Sequence, residues 1–483
     1  MPPATQHQLT RGHMPDGRSD TSLAMLSSST CGGKPVPSTL PLTRQNAQWV
    51  FELSRSINGA GKADEEDKAG GHSGPGNHAP PCQLMLLQKK ETIMENFSFY
   101  TPTRYIFGRG EEKNVGAYLK EYGAHKVLLL HYGSDMPHEV KLIDSIITSL
   151  DAAGIGYVDF TGIQANPTYE RAVEGTAIVR REGIDFLLAV GGGSVIDTAK
   201  FIGVDALFDG DLWEYCYMQG NPAPKSLPVA TVLTIAATGS EGSDSSIITR
   251  NHLKKNMGGD IIRPVFSIMD PELTMTLPRY QTASGIVDMI AHVHERYFSN
   301  SPNNDLTDYL CEAIFKAILQ NAPRVMKQSD DYEARAALMW AGTLAHNGIC
   351  GCGRTMDLAV HFIQHPISAH FGSAHGAGCG VITLGWIKYV YKHDMARFVR
   401  YFTRVWNVEN DELHPERVIL EGIEKQKNFY LSLGMPTTLG EIGASEADIP
   451  MLAQECDVFP HGKTGNFVQL DRKDVENIYR LCM

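Results

Sequence analysis

Several protein classes are excluded by what this chain does not contain. Across 483 residues there is no apolar run of about eighteen or more, so no segment reads as a bilayer-spanning helix. The nine cysteines, at 31, 82, 216, 311, 350, 352, 379, 456 and 482, are odd in number and include no Cys-x-x-Cys pair. That pattern gives neither a disulfide framework nor a structural zinc knuckle. Cys350 and Cys352 flank a glycine-rich turn with no second pair near them. Such usage suits a reducing compartment, and the expectation is cytoplasm. Positive charge is also short: 43 Lys and Arg against 55 Asp and Glu leave a net charge of −12. A general binder of nucleic acid or anionic membrane needs the opposite balance. What is present, 42% hydrophobic and 20% charged residues, is an ordinary globular mixture with length for two or three domains.

Residues 1–93 differ from the rest. They hold Ser/Gly/Pro-rich pieces such as SSSTCGGKPVPSTLP and GGHSGPGNHAPP, with few apolar residues at any fixed period. The expectation there is a disordered extension, or upstream sequence translated from an over-extended start. No basic start with an apolar core marks a signal peptide, and Asp20, Glu52 and the acidic stretch near residue 65 argue against a transit peptide. From Met94 onward, apolar strand-like runs (KVLLLHY, GIGYVDF, DFLLAV, LPVATVLTI, PVFSIMD) alternate with amphipathic helical stretches. Fully apolar strands between helices predict a parallel sheet covered on both faces. Beyond Pro271 the strand signal stops and long helical patterns take over. The expected organisation is an α/β dinucleotide-binding, Rossmann-like domain over 94–275 and an all-helical domain over 276–483.

Val190–Lys200, VGGGSVIDTAK, sets three glycines and a serine between a strand end and a helix start. Glycines let backbone approach a pyrophosphate, and free N–H groups at a helix start attract it. An ordinary tight turn is the competing reading, because G-x-G-x-x-G is not matched. A second small-residue loop, Thr234–Ser246, follows another strand, and HYGSD (His131–Asp135) ends a third. Together they fit a dinucleotide lying across the sheet edge. Gly133 and Ser134 stand where an NAD-specific site usually has an acid, which favours NADP with NAD as the alternative.

In the helical half, GIVDMIAHVHERYF places Asp288 and His292 four residues apart, on one face of a helix. A surface ion pair, a core hydrogen bond and half of a metal site all fit that spacing. Val360–Gly378, VHFIQHPISAHFGSAHGAG, then carries His361, His365, His370 and His375. A lone inward histidine is usually a satisfied core residue. A helix pair joined to a four-histidine cluster instead points to a metal, with three imidazoles and one carboxylate suiting Zn(II) or Fe(II).

These motifs, with TGSE after a strand, GGGSxxDxAK and DPELT, resemble the iron-containing (group III) alcohol dehydrogenase family, nearest its butanol-dehydrogenase-like branch. The resemblance runs from Met94 to the end. By position it implies metal ligation by Asp288, His292, His361 and His375, and a substrate-side, proton-moving role for His365. It implies cofactor contacts at Gly192, Gly193, Ser194, Asp197, Thr234 and Thr238, with Gly133 and Ser134 near the adenosine ribose. His294 and His370 match no ligand position. Ala236, Leu358 and Pro366 stand where the branch commonly has Pro, Trp and Glu, and HYGSDMP lacks the fuller Gly-Gly-Gly-Ser of NADP-preferring members.

The activity implied is NAD(P)-linked oxidation of a primary alcohol such as butanol, with the metal acting as Lewis acid on the alcohol oxygen and hydride passing to the nicotinamide. Small alcohols and aldehydes are the expected partners, and family habit implies a homodimer. Two alternatives remain: a dehydroquinate-synthase-like lyase on the same architecture, which lacks here a Lys/Arg-rich pocket motif, and a non-catalytic nucleotide-binding protein.

Overall fold

Eight strands form in chain order: β1 Arg104–Phe107, β2 Lys126–Leu130, β3 Gly156–Phe160, β4 Phe186–Gly191, β5 Val229–Leu233, β6 Ser245–Arg250, β7 Leu253–Gly258 and β8 Phe266–Met269. The structure is a computed structural model describing residues 94–459 and 461–483, so the expectations for residues 1–93 lie outside the described residues. Six strands make one sheet in the order β1-β8-β5-β4-β2-β3, every neighbouring pair parallel. VLLL (residues 127–130 of β2) and FLLAVG are apolar throughout because both faces of a central parallel strand are covered. Leu128, Leu130, Leu187 and Ala189 pack into the core on one face; Val127, Leu129, Leu188 and Val190 pack into the other.

The covering helices are α1 Val115–Glu121, α2 Pro137–Ala153, α3 Tyr169–Glu182 and α4 Gly193–Asp205. Their ends carry familiar signals. Pro137 opens α2 and Gly154, at φ +72°, closes it, while the Thr168 hydroxyl caps α3. From β2 the chain steps outward to β3 and then returns to β4 on the other side. The order therefore reverses between β2 and β4, and the carboxyl ends of these strands meet there.

β6 and β7 stand apart as an antiparallel hairpin. Its two-residue turn, Asn251 and His252, has φ of +50° and +64°. Consecutive left-handed residues match the twist of a hairpin, and asparagine tolerates that conformation. This hairpin was not foreseen from the sequence, where Thr234–Ser246 reads as a loop; Ser245 and Ser246 already belong to β6.

After β8 the described chain is helical: α5 Arg279–Tyr297, α6 Asp305–Lys327, α7 Tyr332–His346, α8 Ala359–Phe371, α9 His375–Val390, α10 Met395–Arg404, α11 Pro415–Leu433, α12 Leu439–Ile442, α13 Ile449–Glu455 and α14 Arg472–Leu481. Helix α5 is the axis of this region, with every residue from Thr282 to Tyr297 buried. Two glycines set its neighbours. A Cβ on Gly285 would lie 2.4 Å from the Ala236 carbonyl oxygen, and one on Gly376 would lie 1.9 Å from that of Ser284. Only glycine permits these approaches, so α5 presses on the loop after β5, and the start of α9 presses on α5.

Candidate active site

Asp288 and His292 lie one turn apart on α5, His361 sits in the first turn of α8, and His375 opens α9. The Asp288 Oδ1 atom is 3.6 Å from Nε2 of His292 and 3.7 Å from Nε2 of both His361 and His375. Asp288 Oδ1, His292 Nε2 and His361 Nε2 are buried and have no hydrogen-bond partner among the described residues. Three orphaned polar atoms around one point would each cost free energy unless something filled it. Ligand atoms held about 2.1 Å from a tetrahedral ion sit about 3.4 Å apart, so this set fits a divalent cation of the zinc or iron type.

Groups behind the cluster hold it in shape. The buried Glu295, one turn along α5, takes the His361 backbone N–H at 2.8 Å and Nδ1 at 2.5 Å. A carboxylate on the far nitrogen of a ligating imidazole fixes its tautomer and turns Nε2 toward the ion. Burial opposes charge on His361, yet the Glu295 and Asp288 carboxylates hold its imidazole up to about 9 in the metal-free chain. His292 is pushed well down, by burial first and then by the His346 and His361 rings and Arg296. His346, on α7, stacks on His292 at 4.2 Å and donates from Nδ1 to the Thr238 carbonyl at 2.6 Å. Cys379, one turn past His375, is a further donor beside Asp288.

His365 follows His361 by one turn. Its Nδ1 is 3.0 Å from Asp457 Oδ2, and the other Asp457 oxygen pairs with Lys255 of β7. Burial lowers the His365 pKa while Asp457 works the other way. Just before α8, Leu358 holds φ of +61°, a strained conformation for a leucine and one that sets the direction in which this helix leaves. His294 lies elsewhere, packed among Phe298, Trp386 and Tyr401, and His370 pairs with Glu455 at 2.6 Å.

On the sheet side, no side chain caps the first turn of α4. Gly193, Ser194, Asp197 and Thr238 line a cavity of about 410 Å³ together with Asp288, His292, His361, His365 and His375. The two small-residue loops pack on each other: a Cβ on Gly193 would meet Thr238 Oγ1 at 2.5 Å. Asp197 accepts from the Ser240 hydroxyl at 2.6 Å and the Ile247 N–H at 3.2 Å, so it staples α4 to the loop and to β6. Thr234 lines an adjoining hollow of about 140 Å³ with His131 and Leu273, and Tyr132 and Ile235 face both spaces. Gly133, Ser134 and Gly192 line neither cavity. The Gly192 N–H donates to the Tyr132 hydroxyl at 3.3 Å, and the Ser134 hydroxyl accepts from the Met136 N–H at 3.2 Å. Uncapped N–H groups at a strand-to-helix turn on the switch point suit a pyrophosphate.

Sequence reasoning missed Glu295, His346, Asp457 and Lys255. Glu295 had a trace, as the acid three residues after His292 on the same helix. The others come from distant elements and carried none.

Sheet and helical region together have the build of a nucleotide-linked oxidoreductase with room for a metal ion in its cleft. The family model for iron-containing alcohol dehydrogenase matches residues 102–271, and the C-terminal model of the Fe-containing alcohol dehydrogenase family matches 282–483. The chain is 36% identical over 392 residues to a probable NADH-dependent butanol dehydrogenase 1 of Bacillus subtilis, covering 81% of this chain and 100% of the relative. It is 32% identical over 376 residues to the NADPH-dependent aldehyde reductase YqhD of Escherichia coli, covering 77% and 95%. Among solved structures, NADH-dependent butanol dehydrogenase A from Thermotoga maritima superposes with a TM-score of 0.77 at 36% identity, over 80% of this chain and 99% of that one. This protein belongs to the iron-containing alcohol dehydrogenase family. It is an enzyme, an oxidoreductase, and no helix among its described residues is long and apolar enough to cross a membrane.

Proposed function

We propose that this protein interconverts a primary alcohol and its aldehyde with NAD(P), using a divalent metal held by Asp288, His292, His361 and His375. The observation that carries the reading is the convergence of three orphaned ligand atoms on one point in the cavity that an uncapped phosphate-type turn also lines. When bound, the ion would supply Lewis-acid polarisation of the substrate oxygen, and the nicotinamide would supply or accept hydride. The remaining work falls to the chain. Glu295 orients His361. Asp457, taking the proton of His365 Nδ1, leaves Nε2 of that imidazole free to accept the alcohol proton during oxidation and return it during reduction. Gly193, Ser194 and Thr238 place the dinucleotide, and the walls of the cleft keep water from the reacting atoms.

Iron and zinc both suit the donor set. NADP is the proposed cofactor and NAD its competitor, since Gly133 and Ser134 offer no carboxylate to the ribose. The catalytic unit is proposed to run from Met94, with the sheet domain to residue 275 and the metal domain from 276. Relatives named for butanol and for aldehydes support short primary alcohols as the proposed substrates; a cytoplasmic homodimer is proposed beside them.

The test is a spectrophotometric scan of NADH and NADPH against short aldehydes, with metal analysis of the parent, Asp288→Ala and His361→Ala. Both variants should lose metal and turnover together. A fully loaded, active variant would remove that residue from the site. Absence of turnover with every pair would sink the dehydrogenase reading.

A further inference from the structure

Cys379 has no exposed surface and stands on α9 one turn after His375, with its sulfur beside the metal cluster. It does not line the cavity, so it reaches the cluster from the core side. One ligand atom each from Asp288, His361, His375 and Cys379 lie within 4.8 Å of one another. The Sγ atom is 3.9 Å from His375 Nε2, the nitrogen that also faces Asp288 Oδ1 at 3.7 Å. A thiolate at about 2.3 Å and an imidazole at about 2.1 Å from one tetrahedral ion sit about 3.6 Å apart. Two members of the set call for a ligand independently of the sulfur. Asp288 Oδ1 and His361 Nε2 are buried, and neither has a hydrogen-bond partner among the described residues.

Partners and charge both favour ligation over a bystander thiol. The thiol has His375 Nε2 as its hydrogen-bond partner. An ion bound to that nitrogen takes its lone pair and leaves the thiol beside a cation without its acceptor. The sulfur then gives its proton to solvent and takes the ion instead. Asp288 and Glu295 bring two negative charges to this corner, against an ion's two and those of Arg296 and Lys254. A thiolate reduces that buried excess of positive charge.

We propose that the Cys379 thiolate ligates the ion in the substrate-free enzyme, beside Asp288, His361 and His375, and thereby biases the site toward zinc over manganese and iron(II). His292 completes a five-donor set, a number that zinc reaches. Sulfur is a soft donor and favours zinc, whereas imidazole and carboxylate alone serve iron as well. The inference rests on the metal site of the reading above and narrows its choice of ion.

Metal-free full chain titrated anaerobically with cobalt(II) separates the two. Visible d–d bands report an ion held by the cluster, and near-ultraviolet sulfur-to-cobalt charge transfer reports a thiolate ligand. The parent should show both, Cys379→Ala only the first, and Asp288→Ala neither. Zinc X-ray absorption of the parent should contain one sulfur at about 2.3 Å. Chelator competition should show zinc affinity falling at least about 10-fold in Cys379→Ala, the smaller loss usual for a mere supporting partner, while manganese affinity changes less. Visible bands without charge transfer in the parent overturn the proposal and leave the metal site standing. Charge transfer that survives in Cys379→Ala belongs to another cysteine and overturns it too. An equal fall in zinc and manganese affinity overturns the bias toward zinc. No bands of either kind would sink the metal site itself, and this inference with it. Charge transfer and the zinc–sulfur distance are both read in the parent, so the answer does not depend on a variant that folds.

Discussion

Glu295 touches no substrate in the proposed scheme, yet it accepts two hydrogen bonds from His361 and has no exposed surface. Glu295→Gln keeps the volume and removes the charge. Metal affinity should fall about 10- to 100-fold, as it does when such supporting partners are changed. Competition with a chelator followed by metal analysis measures it. Asp457 bears on His365 in a different way, through the proton inventory. In the proposed scheme His365 must be neutral to accept the alcohol proton, so kcat/KM should rise with pH through its pKa, which burial already lowers. Asp457 is one of the groups that raise that pKa, so Asp457→Asn should move the rising limb to lower pH. The variant should also cut the rate by fixing the wrong tautomer, while leaving metal content alone. His365→Ala should lower the rate by about 10²–10⁴-fold and erase the limb. A limb that stays in place in both variants would assign it to another group.

At the scale of helices and strands, the close approach of α9 to α5 depends on Gly376. Gly376→Ala would drive a methyl group into the Ser284 carbonyl, a backbone atom that cannot swing aside. We expect a stability loss of about 1–3 kcal/mol from overpacking. His375 should also move away from Asp288, read as a lower denaturation midpoint with reduced metal content. The elements themselves were largely legible. Uninterrupted apolar runs such as FLLAVG mark interior parallel strands, and the four-residue spacings of Asp288 with His292 and His361 with His365 survive as shared helical faces. The β6–β7 hairpin was not legible, because LKKNMG lacks a clean alternation and its turn is Asn-His rather than Asn-Gly. Asp457 and His346 were hidden for another reason. Their partners, His365 and Thr238, lie 92 and 108 residues away, and pairing over such distances leaves no local pattern. Thr234 and Thr238 read alike in one small-residue loop, yet four residues of chain carry them to two adjoining hollows.

For the whole molecule, an ion bound only by the folded state adds stability by mass action, about 2.7 kcal/mol at one hundred times its Kd. Chelation should therefore lower the melting temperature of the parent and leave that of Asp288→Ala where it was. A chain beginning at Met94 should match the full chain in melting temperature and specific activity, since the Bacillus subtilis relative is covered over its whole length by 81% of this one. A large drop in either would show that residues 1–93 contribute to the core. The Lys255–Asp457 contact joins a hairpin that follows the sheet's fifth strand to the segment just past α13, near the far end of the chain. Because Asp457 also holds His365, recombination between homologues carries a hidden condition. A chimera that takes its first half from one relative and its second from another would inherit the whole proposed metal cluster, since all four proposed ligands lie beyond residue 280. It could still be catalytically slow, because position 255 from one parent must match position 457 from the other. Crossovers on either side of β7 should sort into fast and slow enzymes by that single pairing, whatever their overall identity.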